Sequence, residues 1–186
     1  MTDRKKIRLS AVAVFKAAKT LAEKNVYSPR DWPTMPGGYP LIMVRTPHER
    51  KENVSPRNGP PTFFSTITLA VLGRVEAKTE AEAETMLEQL SGQIEHALLT
   101  NGQFIYDNEV QQFASVDISM DVRAEGEMHY GETVISFGIE VPQIFEPCID
   151  AEGNRIGPAV NEISISGLDQ NTGNILGGID ISLEGA

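Results

Sequence analysis

The chain has 186 residues, 40% of them hydrophobic, a formal net charge of −10 and a single cysteine. That length supports one hydrophobic core with extensions. One cysteine, Cys148, excludes an internal disulfide framework and a cysteine-rich zinc site, and the acidic total argues against coating nucleic acid, which needs a basic surface. No apolar run is long enough to span a membrane and no charged-then-apolar signal opens the sequence, so the expectation is a soluble protein that stays where it is made.

Ile7, Ala11, Val14, Ala18 and Leu21 recur at spacings of four and three, which predicts a first helix over residues 4–24 with Lys16, Lys19 and Lys24 on its other face. The next segment, Tyr27 to Lys51, holds Pro29, Pro33, Pro36 and Pro40 and the only tryptophan, Trp32. Prolines remove backbone donors and fix φ, so the early part of this segment is a shaped loop. Trp32, beside Arg30 and Asp31, either packs back over its own core or anchors a neighbouring subunit. Leu41 to Arg45 reads as a short strand near a sheet edge, because prolines lie on both sides of it. Residues 46–61, with Pro47, Pro56, Gly59, Pro60 and Pro61 among charges, read as a mobile loop.

From Phe63 to Val75 apolar residues alternate with Thr62, Thr66, Thr68 and Arg74, which predicts a long half-buried strand. A helix follows: Thr79 and Glu82 have capping-box spacing, Ala83, Met86, Leu87, Leu90, Ile94, Ala97 and Leu98 share a face, and Asn101-Gly102 stops it. Ala114, Val116, Ile118, Met120 and Val122 then alternate with Ser115, Asp117, Ser119, Asp121 and Arg123. Ile135, Phe137, Ile139 and Val141 alternate with Val134, Ser136, Gly138 and Glu140. Joined by a short Glu125–Glu132 link, these two strands form an antiparallel hairpin. Beyond Pro147 large core side chains are scarce, and the β-prone runs Glu162–Ser166 and Ile175–Leu183 read as an appended hairpin or arm. The expected fold is therefore α/β (α+β): a mixed or antiparallel sheet of about four strands with two main helices on one face, spanning residues 1–147, plus a β arm over 148–186.

Charge divides along the sequence. Residues 1–60 carry twelve Lys/Arg against five Asp/Glu, and residues 61–186 carry four against twenty-one. A basic first third on an acidic remainder suits head-to-tail contact between copies, or else merely solubilises separate faces.

Catalytic signatures are missing from the sequence. It has no phosphate-binding glycine loop and no nucleophile elbow. His48, His96 and His129 lack metal-ligand spacing, and nothing local activates Cys148. Asp117 and Asp121 share one strand face but lie too far apart to act on one proton. The acidic turns Asp150–Asn154 and Asp169–Asn174 resemble calcium loops only loosely and are explained by turn chemistry. No catalytic, cofactor-binding or metal site is therefore expected. The strand faces instead carry Thr and Ser, which suits contact with other protein.

The run Y-S-P-R-D-W-P at Tyr27–Pro33, then Pro40-Leu-Ile-Met-Val44, the long strand leading into the acidic capped helix, and the closing hairpin together resemble the tail terminator proteins of long-tailed phages, the minor tail protein U family. The resemblance covers about residues 5–146. It implies a structural virion protein, not an enzyme: a hexameric ring on the head-proximal end of the tail tube that stops polymerisation and offers its other face to the head–tail connector. The implied partners are other copies of the chain, the tail tube protein and the connector. DNA would pass through the ring without being read for sequence, and the chain would reside in the host cytoplasm during assembly. The residues expected at its interfaces are Arg30, Asp31, Trp32, Arg45, Arg50, Lys51 and Arg57. Another connector or neck ring protein, or the tube subunit itself, would share this build; a small ligand-binding domain or enzyme is the rival of a different class.

Overall fold

The structure is a computed structural model, and it describes residues 3–28, 38–55, 60–146, 162–168 and 175–182. The elements run α1 (Asp3–Ala17), β1 (Val26–Tyr27), β2 (Leu41–Asn53), β3 (Thr62–Ala77), α2 (Glu80–Leu99), α3 (Gly102–Asp107), β4 (Gln112–Glu125), β5 (Met128–Ile144), β6 (Glu162–Leu168) and β7 (Ile175–Ser182). The first five strands form one mixed sheet in the order β1-β2-β3-β5-β4. Only the β1–β2 pair is parallel. The fold is thus α+β with two main helices, and the sheet has five strands instead of about four. By its internal contacts the chain divides into residues 1–145 and 146–186. Within the second unit β6 and β7 pair antiparallel, Glu162 opposite Ser182.

Alternation along β3 and β5 produces the core. Ile67, Leu69, Val71 and Val75 of β3 and Ile135, Phe137, Ile139 and Val141 of β5 are buried on one sheet face, against Leu87, Leu90, Ile94 and Leu98 of α2 and Ile7, Ala11 and Phe15 of α1. Two glycines let α2 approach the sheet. A methyl group at Gly73 would lie 2.8 Å from Thr133 Cγ2 and 3.1 Å from Leu90 Cδ2, and one at Gly131 would lie 2.8 Å from Val75 Cγ2 and 3.3 Å from Leu87 Cδ2. The start of α2 is fixed as its sequence dictates: the Thr79 hydroxyl accepts from the Glu82 N–H at 3.2 Å, satisfying one of the helix's orphan donors.

Four expectations need correction. The first helix ends at Ala17 instead of continuing to residue 24. Its apolar spacing continues, but the chain turns here, with Glu23 at φ 47°, and the Leu21 N–H donates to Gln93 Oε1 at 2.7 Å. The turn brings Val26 and Tyr27 beside Ile42 and Met43. Residues 46–53 are not loop but the outer half of β2, paired with β3 as far as Asn53 opposite Phe63. Pro47 is accommodated because the register shifts between Arg45 and His48, and a bulge does not require its missing N–H. After α2, which ends at Leu99 with Thr100 as its C-cap, Asn101 starts another helix: its side chain accepts from the Phe104 N–H at 2.8 Å and caps α3. The β4–β5 link is shorter than residues 125–132, since Glu125 pairs with Met128 across a two-residue turn at Gly126, φ 65°.

Candidate assembly surfaces

The two helices do not cover the whole sheet. α1 packs on β1 and β2, and α2 packs chiefly on β3 and β5. A helix is about 10 Å across and strands lie about 4.8 Å apart, so each helix covers roughly two strands. The fifth strand, β4, is left at the sheet's edge. Its residues Val116, Ile118 and Met120 stand opposite Phe137, Ile135 and Thr133 of β5 and so project on the helix-bearing face. They are 38%, 42% and 45% exposed, whereas Ile135 and Phe137 are fully buried. The sequence pattern marks these three residues as the inward half of an amphipathic strand; among the described residues α2 reaches β4 only in part, with Phe113 and Val122 packed against the core and these three left half-covered. The only hint available in the sequence is the shortage of helices relative to strands.

The flanks of this strip are acidic. Gln93 points toward the turn that follows α1, as its bond to the Leu21 N–H requires. By helix periodicity, at spacings of seven and four that keep one line, the opposite flank carries exposed Glu84, buried Ser91 and half-buried Glu95. On the other face of β4 lie Asp117 and Asp121, the latter bonded to Arg123. α2 carries five carboxylates and no Lys or Arg, and β4 carries three against one arginine, a net of −7 for the two elements. At the opposite side of the sheet α1 carries five basic residues against one acidic and β2 three against two, a net of +5. The charge division along the sequence is therefore also a division across the fold. On the outward surface of α1, Leu9 is 43% exposed and lies four residues from Lys5 and seven from Lys16.

The expected interface residues meet different fates. Arg45 and Arg50 are exposed on β2. Arg50 pairs with Glu52 at 3.0 Å, both well into solvent, where such a pair contributes little. Lys51 is exposed too, and it is also tied into the fold: its ammonium is 3.4 Å from Glu49 and 4.9 Å from the Phe145 ring centroid. Arg30, Asp31, Trp32 and Arg57 lie outside the described residues, as do Cys148 and both acidic turns.

Glu49 organises the end of the sheet nearest the start of α1. It accepts from Ser65 Oγ at 2.7 Å and Gln143 Nε2 at 3.2 Å, and Arg4 Nε lies 3.2 Å away. Gln143 also donates to Asp3. Burial pushes the Glu49 carboxyl up, but the Ser65 bond, the Lys51 charge and hydrogen bond, and the Gln143 bond together outweigh it and hold the group below the usual carboxylate range. The cluster latches α1 to β2, β3 and β5.

The face of the sheet away from the helices is mixed: Leu41, Met43 and Leu72 are buried on it and Phe64 is exposed. Thr66, Thr68 and Ser136 are half-buried on it, and Arg74 bonds Glu132 across the β3–β5 pair at 2.6 Å. Near one end of this face the Tyr39 ring meets Tyr130 edge-on at 5.7 Å. Partial burial and the neighbouring Glu76 carboxylate push the Tyr130 phenol up. His48 and His96 are exposed and His129 is half-buried. Among the described residues no three His, Cys, Asp or Glu side chains are grouped so as to hold a metal ion. No described helix is long and apolar enough to cross a membrane.

No family model and no curated protein matches the chain. Among solved structures it is similar to a chain in the virion of a native gene transfer agent particle, at 13% identity and a TM-score of 0.39, over 72% of this chain and 93% of that one.

Proposed function

We propose that this chain is a structural virion protein whose copies form a ring, of six by the resemblance noted for Tyr27–Pro33 and the strands and helix that follow it. The ring caps the head-proximal end of a tail tube, ends tube polymerisation and forms the surface that joins the head.

The observation that carries the reading is the polarity of the subunit from side to side: net +5 on α1 and β2, and net −7 with an uncovered apolar strip on α2 and β4. A subunit whose two sides complement each other, instead of one patch complementing itself, joins head to tail, and such contacts close into a ring when the rotation between copies closes. Arg45 and Arg50, exposed on β2, are then available to acidic surfaces on the tube or connector, where they would steer docking more than they hold the fold. No catalytic step is assigned to any residue.

The same polarity favours one second reading. If the rotation fails to close, head-to-tail contact builds an open filament, as a tube subunit would; a different neck ring would close but bind elsewhere. Growing tail tubes with and without the purified chain separates them. A terminator stops elongation and leaves a ring on one tube end in electron micrographs. Tubes that lengthen unchanged, with no density at either end, refute the terminator reading, and filaments of the chain alone support the tube reading.

A further inference from the structure

The helix layer over the main sheet is incomplete by one strand, and the molecule carries a helix whose outward surface suits the gap. By helix periodicity the α2 flank away from Gln93, the one beside the strip of Val116, Ile118 and Met120, carries Glu84, exposed, and Glu95, half-buried. Whatever covers it must present an apolar residue flanked by positive charge. Outward on α1, Leu9 lies between Lys5 and Lys16, on the basic side of the same subunit. A side chain 42% exposed, such as Ile118, still has apolar surface to lose to a partner, and an edge strand of fourteen residues with its outer side unpaired in the sheet is a ready template for further association.

We infer that the β4 strip of one copy is the seat for α1 of the next copy, so that the neighbour's helix, beside α2, completes the layer over β4. Leu9 sits on Val116, Ile118 and Met120, and Lys5 and Lys16 face Glu84 and Glu95. This rests on the ring reading above and names the contact that builds the ring. Because the seat and its occupant lie on opposite sides of the subunit, the contact is heterologous and repeats around the ring.

The test uses the full chain. Assembly is followed by native mass and electron microscopy, alone and with tail tubes, as a function of concentration. Three variants break the contact: Ile118→Asp, Glu84→Lys with Glu95→Lys, and Lys5→Glu with Lys16→Glu. Each is expected to raise the concentration for half-assembly at least about tenfold (about 1.4 kcal/mol per tenfold). Combining the two charge reversals in one chain restores opposite charges at every contact, and assembly should return to within about threefold of the unmodified chain. Subunit melting is measured for each variant. Variants that melt normally and assemble like the unmodified chain overturn the inference, as does a combined variant that melts normally without recovering. Arrest at dimers overturns it too, since a self-complementary contact stops at two. An unmodified chain that assembles through this seat yet leaves tube ends bare removes the terminator reading and leaves the contact standing, whereas one that stays monomeric with and without tube overturns both.

Discussion

Ile118 and Ile135 face one another across the β4–β5 ladder on the same side of the sheet, yet one is 42% exposed and the other fully buried. Truncating each to alanine removes the same atoms from adjacent strands, so the difference in cost measures how much of the strip is covered within a single subunit. At Ile135 the loss combines transfer energy with a cavity between sheet and helix, about 2–5 kcal/mol. At Ile118 no closed cavity forms and part of the side chain is already in water. The transfer and strand-propensity losses together come to about 1 kcal/mol. For a chain of this size each kcal/mol moves the melting temperature by about 2–4 °C. Ile135→Ala should therefore lower it by roughly 4–20 °C and Ile118→Ala by roughly 2–4 °C. The assay is thermal unfolding followed by circular dichroism at a dilution where native mass shows single subunits. Equal losses at the two positions would refute the reasoning, because they would mean that the β4 strip is already covered inside the subunit.

Two further outcomes test the internal architecture. Gly131→Ala forces its new methyl group toward Val75 Cγ2 and should cost about 1–3 kcal/mol as overpacking; adding Val75→Ala should relieve part of that cost, and strictly additive losses in urea unfolding would contradict the close approach. Glu49 has a folded pKa below its ordinary value, so its carboxylate contributes stability above the ordinary glutamate range, about 4.3, and that contribution is lost as pH falls through the folded value. The unmodified chain should then exceed Glu49→Gln in melting temperature at pH 7, with the gap closing on acidification, and a gap independent of pH would show that the Ser65, Gln143 and Lys51 contacts do not act through the charge.

Strongly periodic segments were legible from the sequence. The alternation of β3 and β5 and the capped, single-faced stripe of α2 read directly because each pattern is long and the structure buries its apolar half. Where tertiary context overrode local pattern, the reading failed. Residues 18–24 keep helical spacing but turn so that β1 can pair with β2, and Pro47 suggested a loop although a bulge absorbs it. The candidate surface was half legible. The charge division is visible in the chain and becomes a division across the sheet, which depends on strand order. The exposed strip was not visible, because Val116, Ile118 and Met120 have the same alternation as a buried strand and only the partial cover given by the described helices leaves them exposed. Arg45, Arg50 and Lys51 are exposed as expected, but Lys51 also lies over the Phe145 ring, a contact that a sequence separation of 94 residues hides.

The proposed role fixes the position of the chain in an assembled particle. The direct measurement is an electron-microscopy reconstruction of particles in which the chain carries a small added label, with the neck resolved at the level of secondary structure. One closed ring of this fold, six copies around, is expected between the last tube ring and the connector, with the label at that level alone. Label repeated along the tube, or found away from the head-proximal end, would contradict it.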